Sequence, residues 1–267
     1  MRKRNPAVMG TFYPSSEEDI LDFIKSNLTQ NNERIKARGI ISPHAGYIYS
    51  GSCALKGYSR IIIPDTIIIL GVNHRGIGKG FSVDSNDSWI TPLGEVLIDK
   101  ELSESIVKNS ELFEYDEVAS AYEHSIEVQL PLLKYFNKNI KIVPITIGVY
   151  ELEKLLKAGK EIAGVVKDRD NILIIASSDM SHYVSEEYAR RVDFLAIEEM
   201  KKISPESMFN TVVSHNISMC GLATITTLLS VLRELGVKNS EIVEYTNSGV
   251  ITGDKSEVVA YLSMIFY

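Results

Sequence analysis

The sequence predicts a single α/β domain over residues 1–267, with a central, mostly parallel β-sheet flanked by helices. Two observations lead to this prediction. Short runs of isoleucine and valine recur along the chain, and stretches with helical periodicity separate them. Runs that are apolar at consecutive positions are typical of strands covered on both faces. The sequence contains no internal repeat, low-complexity tract or Gly/Ser linker that would mark a second domain.

Six segments have the composition of such strands. In chain order they are residues 39–41, 66–70, 140–147, 172–176, 241–246 and 258–266. Helices fit between them. The segment 17–28 follows two serines and has acidic residues in its first turn, which is an N-terminal helix signal. Apolar residues three or four positions apart predict further helices over 126–136, 152–166, 185–203 and 222–232.

The composition excludes several classes of protein. With 28 lysines and arginines against 35 aspartates and glutamates, the net charge is −7, which argues against binding to nucleic acid or an anionic membrane. Hydrophobic residues make up 45% of the chain, which excludes a disordered or fibrous protein. No apolar stretch approaches the roughly 18 residues of a membrane-spanning helix, and no signal-peptide core follows the basic residues 2–4. Cys53 and Cys220 form no CxxC pair, so we expect a cytoplasmic protein with free thiols.

The placement of the histidines is the most informative feature for function. Three of the five histidines, His44, His74 and His182, follow a predicted strand within a few residues. Ligands of open α/β sheets bind beyond the carboxyl ends of the strands, where loops project side chains over the sheet edge. Imidazole is a common ligand of zinc, iron and copper. A single such histidine is more often a loop residue bonded to nearby backbone, but three together predict a metal site.

Three further residues have two interpretations each. Cys220 comes just before the predicted helix at 222; a helix N-terminus stabilises a thiolate, but a buried inert thiol fits equally well. His124 has Glu123 beside it, which either orients the ring or is an ordinary acid of a first helical turn. Asp179, three residues before His182, either fixes the tautomer of that imidazole or caps a turn.

Short blocks spread over nearly the whole chain resemble the Memo family (mediator of cell motility), whose members occur from archaea and bacteria to animals. Several independent blocks in the correct order make this match specific. The blocks are Gly10-Thr11-Phe12-Tyr13, Pro43-His44-Ala45-Gly46-Tyr47, Leu70-Gly71-Val72-Asn73-His74, Glu123-His124-Ser125-Ile126-Glu127, Ser177-Ser178-Asp179-Met180-Ser181-His182 and Met219-Cys220-Gly221.

The resemblance implies a fold similar to that of the class III (extradiol) non-heme iron dioxygenases, with the site at the strand ends. It implies that His44 and His74 are the imidazole ligands of an iron or copper ion. Cys220 stands where the dioxygenases have a carboxylate ligand, and His182 stands where they have an acid/base histidine. A thiolate favours softer ions, so zinc is a further option, and catechol ring cleavage is not expected.

The resemblance also implies a ligand cleft and partners. Phe12, Tyr49 and Asp179 match positions that line this cleft. Animal members of the family have been described as binding phosphotyrosine-containing peptides there, but Leu222 and Ala223 replace a basic, His-containing segment of those members. Prokaryotic relatives are often encoded beside a radical-SAM protein and an AMMECR1-type protein, which implies a shared pathway.

We therefore expect a mononuclear metal-binding redox protein of unknown substrate, similar to a dioxygenase, with His44, His74 and Cys220 as ligands. His182 would be the acid/base or a labile fourth ligand, with help from the carboxylate three residues before it, and His124 a nearby proton donor. One alternative is a non-catalytic module that binds a peptide or an anionic ligand in the same cleft. Another is Cys-dependent hydrolysis with Cys220 as the nucleophile.

Overall fold

Strands and helices alternate along the chain in the computed structural model, which describes residues 2–28 and 33–267. The strands are β1 (Lys3–Arg4), β2 (Gly39–Ser42), β3 (Thr66–Val72), β4 (Phe81–Val83), β5 (Ser88–Thr91), β6 (Gly94–Ile98), β7 (Glu114–Tyr115), β8 (Lys141–Ile147), β9 (Ile172–Ser177), β10 (His182–Val184), β11 (Ser240–Asn247) and β12 (Val258–Phe266). The helices are α1 (Glu17–Asn27), α2 (Ser52–Ser59), α3 (Lys100–Lys108), α4 (Leu130–Phe136), α5 (Leu152–Val166), α6 (Glu186–Lys201), α7 (Pro205–Ser214), α8 (Leu222–Glu234) and α9 (Gly249–Thr252). A π-helical turn at Tyr47–Gly51 leads into α2, and a 3-10 turn at Glu127–Gln129 leads into α4.

The parallel strands β6, β8, β3, β9 and β2 form the centre of the sheet, in that order. On one side, β12 pairs antiparallel with β2, and both β11 and β10 pair antiparallel with β12. On the other side, β5 and β1 extend the sheet beyond β6. This is a single α/β domain with a large, mostly parallel mixed sheet, so the predicted fold class is confirmed. None of the helices among the described residues is both long and apolar enough to cross a membrane.

Helices cover both faces of the sheet because the central strands are apolar at consecutive positions. On β3, Ile67 and Ile69 belong to one core, Ile68 and Leu70 to the other, and all four side chains are fully buried. The helices α1, α2 and α4 pack on the first face, and α3 and α5 to α8 pack on the second. Burying one such side chain contributes about 1.5–3 kcal/mol, so the two cores hold the central strands firmly in register.

The carboxyl ends of the central strands lie together at one edge. All six predicted strands are present, and three of the parallel ones run past their predicted ends: β2 ends at Ser42, β3 at Val72 and β9 at Ser177. Ser42 pairs with Ser177 across the β2–β9 interface. The segments that follow these strands therefore leave the sheet side by side, which is the arrangement that the histidine placement requires.

Some elements lie outside the sequence prediction, although two of them carry recognisable signals. Asp99 caps α3 by accepting the Leu102 N–H at 3.0 Å, and Pro205 occupies the first turn of α7. The apolar stripe at 126–136 begins as a 3-10 turn, and α4 itself starts only at Leu130. The short strands at the sheet margins have too few residues for a pattern of period two to be visible.

A buried ion pair attaches the N-terminal segment to the loop before α4. The Glu127 carboxylate accepts hydrogen bonds from Arg4 Nη1 and Tyr13 Oη, each at 2.7 Å, and from the N–H groups of Ala7 at 2.8 Å and Val8 at 3.0 Å. The two charged side chains are only 3% and 1% exposed. Buried charges are tolerated when they are paired and hydrogen-bonded, and here the pairing fixes the N-terminal segment in place.

We expect Glu127→Gln to lower the free energy of unfolding by about 3–5 kcal/mol, because the buried Arg4 guanidinium would lose its counter-charge. Urea denaturation monitored by circular dichroism measures this change. The control is Asp22→Asn, which removes the exposed partner of Lys25 and should cost at most about 1 kcal/mol. Equal stabilities of the two variants would contradict a structural role for the buried pair.

Candidate metal centre

Three imidazoles converge at the carboxyl edge of the parallel strands. His44 follows β2, His74 follows β3, and His124 lies in the loop before α4. Their candidate ligand atoms all lie within 4.8 Å of one another, so the group could hold a metal ion. The His74 and His124 rings are stacked at 4.7 Å, and His44 stands edge-on to them at 5.1 and 5.3 Å. The structure thus brings His44 and His74 together and adds His124, which no strand precedes.

A chain of buried hydrogen bonds fixes the tautomer of His44. Its Nδ1 lies 2.9 Å from Ser177 Oγ. That hydroxyl donates to the Ser125 carbonyl at 2.7 Å and accepts from Gln129 Nε2 at 2.8 Å. Since the only hydroxyl hydrogen is already used, the His44 Nδ1–H must donate to Ser177, which leaves the Nε2 lone pair free. The Gln129 amide is itself oriented, because Nε2 also donates to the Pro43 carbonyl at 2.9 Å.

Glu123 orients the other two imidazoles. Its carboxylate lies 2.9 Å from His74 Nδ1 and 3.4 Å from His124 Nδ1. It also accepts the backbone N–H groups of His74, His124 and Ser125, each at 2.9 Å. Burial raises the pKa of Glu123, but the hydrogen bonds from His74 and Ser125 outweigh this effect and bring the pKa down to about 2. An ionised carboxylate only accepts hydrogen bonds, so His74 donates through Nδ1, and Nε2 is the ring nitrogen that is placed to bind a metal ion.

Burial also keeps two of the imidazoles neutral. It lowers the pKa of His44 well below its usual value, and the neighbouring imidazoles lower it further. Burial lowers the pKa of His124 to about 4, although the Glu123 carboxylate opposes this shift. Neutral imidazole with a free ring nitrogen is the form that binds metal ions. The donor set therefore fits a divalent transition-metal ion.

Cys220 lies beside this group, next to the first turn of α8. Its Sγ is 3.2 Å from His44 Nε2 and accepts the Asp179 N–H at 3.3 Å. Burial raises the pKa of the thiol, and the Asp179 carboxylate raises it further. Of the two interpretations of Cys220, burial therefore favours the protonated thiol over a thiolate stabilised by the helix N-terminus. Gly221 permits the close packing here, since a Cβ at this position would lie 2.2 Å from Ser178 Cβ.

Asp179 and His182 are close to the group but do not bond to each other in the predicted way. Asp179 Oδ1 accepts the His44 N–H at 2.8 Å, and burial raises the pKa of this carboxyl to about 6. His182 Nδ1 instead lies 2.8 Å from the Ser218 carbonyl, which fixes its tautomer. His182 is outside the three-histidine group because it begins β10, which pairs with β12 beyond β2.

A cleft of about 340 Å³ adjoins the three-histidine group, and His124 forms part of its wall. Phe12, whose ring lies 4.8 Å from His124, and Tyr49, on the π-helical turn, are both in the lining. The lining also includes Ala45, Gly46, Asp179, His182, Tyr183, Ser248, Thr252, Val259 and Tyr261. The residues that the family resemblance assigns to a cleft therefore do lie in one cleft.

Sequence reasoning misses several residues of this site. Gln129 is a buried polar residue in the apolar stripe at 126–136, and that anomaly is a signal that it bonds to something inside. Ser177 resembles any other small residue at a strand end. Tyr183 and Tyr261 reach the cleft through the pairing of β10 with β12, which the sequence does not show.

The family model and the similar sequences identify one family, and a solved structure shows the same fold. A family model described as "Memo-like protein" matches residues 4–265. A MEMO1 family protein of Aquifex aeolicus is 44% identical, and the alignment covers all of both chains. A MEMO1 family protein of Methanocaldococcus jannaschii is 36% identical over 98% of each chain. The crystal structure of an uncharacterised protein from Escherichia coli K12 has the same fold, with a TM-score of 0.54, 14% identity, and coverage of 85% of this chain and 98% of that one.

We expect Glu123→Gln to weaken Zn²⁺ binding by about 10–100-fold, because the amide cannot orient His74 and His124 as the carboxylate does. Competition with a chromophoric chelator measures the Kd. The control is Glu198→Gln on α6, which pairs with Lys201 at the surface and should leave the Kd unchanged. A Glu123→Gln protein that is folded by near-UV circular dichroism and binds Zn²⁺ normally would rule out this orienting role.

Proposed function

Because the chain belongs to the Memo family, we propose that it is a redox protein that binds one iron or copper ion at His44 and His74 and acts on an organic molecule in the adjoining cleft. The observation that carries this proposal is the convergence of three imidazoles within 4.8 Å at the sheet edge. Imidazole suits iron, copper and zinc alike. The resemblance to the extradiol dioxygenases is what favours a redox ion over zinc.

We propose Cys220 as the third ligand. Metal–nitrogen bonds of about 2.0–2.1 Å and metal–sulfur bonds of about 2.3 Å place two ligands of one ion roughly 3.1–3.6 Å apart. The 3.2 Å between Cys220 Sγ and His44 Nε2 falls within this range. A bound cation would also stabilise the thiolate that burial disfavours. His124, which belongs to the three-histidine group, is the competing third ligand.

The remaining polar residues would serve the substrate. When bound, an iron or copper ion would supply one-electron chemistry or activation of oxygen. His182 lines the cleft with Nδ1 held by the Ser218 carbonyl, so its Nε2 is available to give or take a proton. His124 also lines the cleft and is the second proton-transfer residue in our proposal; because it is neutral in the free site, it would accept a proton before donating one. Asp179 acts on the site through the His44 backbone and shapes the wall of the cleft.

The alternative, a non-catalytic module for a peptide or an anionic ligand, has weaker support. An anion site needs cationic side chains or an unoccupied helix N-terminus. None of the described residues that line the cleft is a lysine or an arginine. Cys-dependent hydrolysis has weaker support as well, because the raised pKa of Cys220 leaves no nucleophilic thiolate in the metal-free protein. We further propose a pathway shared with AMMECR1-type and radical-SAM proteins, on the basis of the family resemblance alone.

We expect the protein, purified anaerobically without chelators or affinity nickel, to contain close to one iron or copper ion per chain. The His44→Ala/His74→Ala variant should lose this ion, because it lacks both constant ligands. Elemental analysis measures the metal, and near-UV circular dichroism checks that the variant is folded. The matched control is His182→Ala, which should keep the full amount. Full occupancy in the double variant would refute the assignment.

Two single variants test the third ligand. We expect Cys220→Ser to weaken Cu(I) binding at least 100-fold and His124→Ala to weaken it less than 10-fold, because sulfur is the preferred ligand of this soft ion. Competition with a Cu(I) chelator measures both affinities. The reverse order would assign the third position to His124 and show that Cys220 is not a ligand.

A further inference from the structure

Tyr183 has a strained backbone that its own packing does not explain. Three non-glycine residues in the described part of the chain have left-handed backbones: Tyr183 (φ 55°), Ile203 (φ 53°) and Asn216 (φ 51°). Asparagine tolerates a left-handed backbone. Ile203 is only 7% exposed, and the burial of its side chain offsets the cost of its backbone conformation. Tyr183 is 75% exposed and gains no such compensation. Uncompensated strain of this kind is concentrated at ligand-binding sites.

The strain coincides with an irregularity in β10. The register of β10 against β12 shifts between His182 and Val184, so Tyr183 is the extra residue of a bulge. Bulges change the direction in which a side chain points. Tyr183 is one of the residues that line the cleft, and its ring lies 5.9 Å from the ring of His182. The backbone conformation thus puts an exposed aromatic ring next to the proposed proton-transfer residue.

Much of the remaining cleft wall is aromatic, and the only carboxyl group among its described lining residues is that of Asp179. Phe12, Tyr49 and Tyr261 also line it, and Tyr49 is 40% exposed. Asp179 is only 4% exposed, and its carboxylate accepts the His44 N–H at 2.8 Å. The described lining residues include no lysine or arginine. Such a wall favours a flat ring without negative charge over a phosphate or a carboxylate group.

We propose that this cleft binds an organic molecule through a ring without negative charge, and that the strained backbone of Tyr183 positions its side chain for this contact. The inference rests on the proposed function only for the location of the site, because it does not require the metal ion. It names the chemical class of the ligand and identifies Tyr183 as a binding residue.

Two probes of similar size and different charge test the ligand class. They are benzyl alcohol and phenyl phosphate, titrated into the metal-free protein and followed by NMR. We expect benzyl alcohol to shift the signals of the cleft residues saturably and to bind at least fivefold more tightly than phenyl phosphate. Tighter binding of phenyl phosphate, or no saturable binding of benzyl alcohol, would overturn the proposal.

Variants test the two exposed rings. We expect Tyr183→Ala and Tyr49→Ala each to weaken benzyl alcohol binding about fivefold, as the loss of one aromatic contact implies. Tyr115→Ala, which removes a tyrosine on β7 whose exposure (44%) is close to that of Tyr49 (40%), should have no effect. Unchanged binding by Tyr183→Ala would overturn the role of this residue. Metal content is measured on the same samples. A protein that lacks bound metal but still binds the probe would contradict the proposed function and leave this inference intact.

A comparison of stabilities in urea tests the backbone strain at Tyr183 separately. Glycine adopts a positive φ without penalty, so Tyr183→Gly should unfold at a urea concentration about 0.5 M higher than Tyr183→Ala. The matched pair Tyr188→Gly and Tyr188→Ala lies within helix α6, where glycine should be the less stable of the two. A Tyr183→Gly protein that is no more stable than Tyr183→Ala would show that the backbone is unstrained and would overturn the proposal.

Discussion

The hydrogen bonds of the buried segment Glu123–Gln129 are the constraint on which the rest of the site depends. Glu123 holds His74 and His124, the Ser125 carbonyl accepts from Ser177, and Gln129 bonds to Ser177 as well. Glu127 binds the N-terminal segment that carries Phe12. Each of these polar groups is buried and would be costly if left unpaired. These hydrogen bonds therefore hold the segment in essentially one position. The segment in turn fixes the positions of the imidazole rings that it contacts.

The sequence is sufficient for the fold class and for half of the candidate site. The strands are recognisable because their apolar runs are local, and His44 and His74 lie close together because parallel strands end at one edge. His124 and Tyr183 depend instead on contacts between distant parts of the chain, through Glu123 and through the β10–β12 pairing. Local patterns contain no information about such contacts. The hydrogen bond considered between Asp179 and His182 is not formed for the same reason: His182 bonds instead to the carbonyl of Ser218, which is distant in sequence.

The electrostatics of the metal-free site explain why it suits a cation. The imidazoles of His44 and His124 are neutral at physiological pH and the Cys220 thiol is protonated, because burial disfavours the charged form of each. The Glu123 carboxylate beneath them stays ionised. A positive ion would therefore enter a site whose nearest fixed charge is negative and whose His44 and His124 imidazoles carry no competing proton. The proton of the Cys220 thiol would have to leave before its sulfur could bind the ion.

The order of the site residues along the chain has a consequence for the cell. His44, His74, His124 and Cys220 come from separate strands and loops, and no two of them are near neighbours in sequence. An unfolded chain would have to close long loops to chelate an ion with them, which is entropically unfavourable. In our proposal, tight binding would thus arise only after β2, β3 and β9 are aligned. The choice of metal would consequently be made by the folded protein and by the ions it meets then, and not by the newly made polypeptide during synthesis.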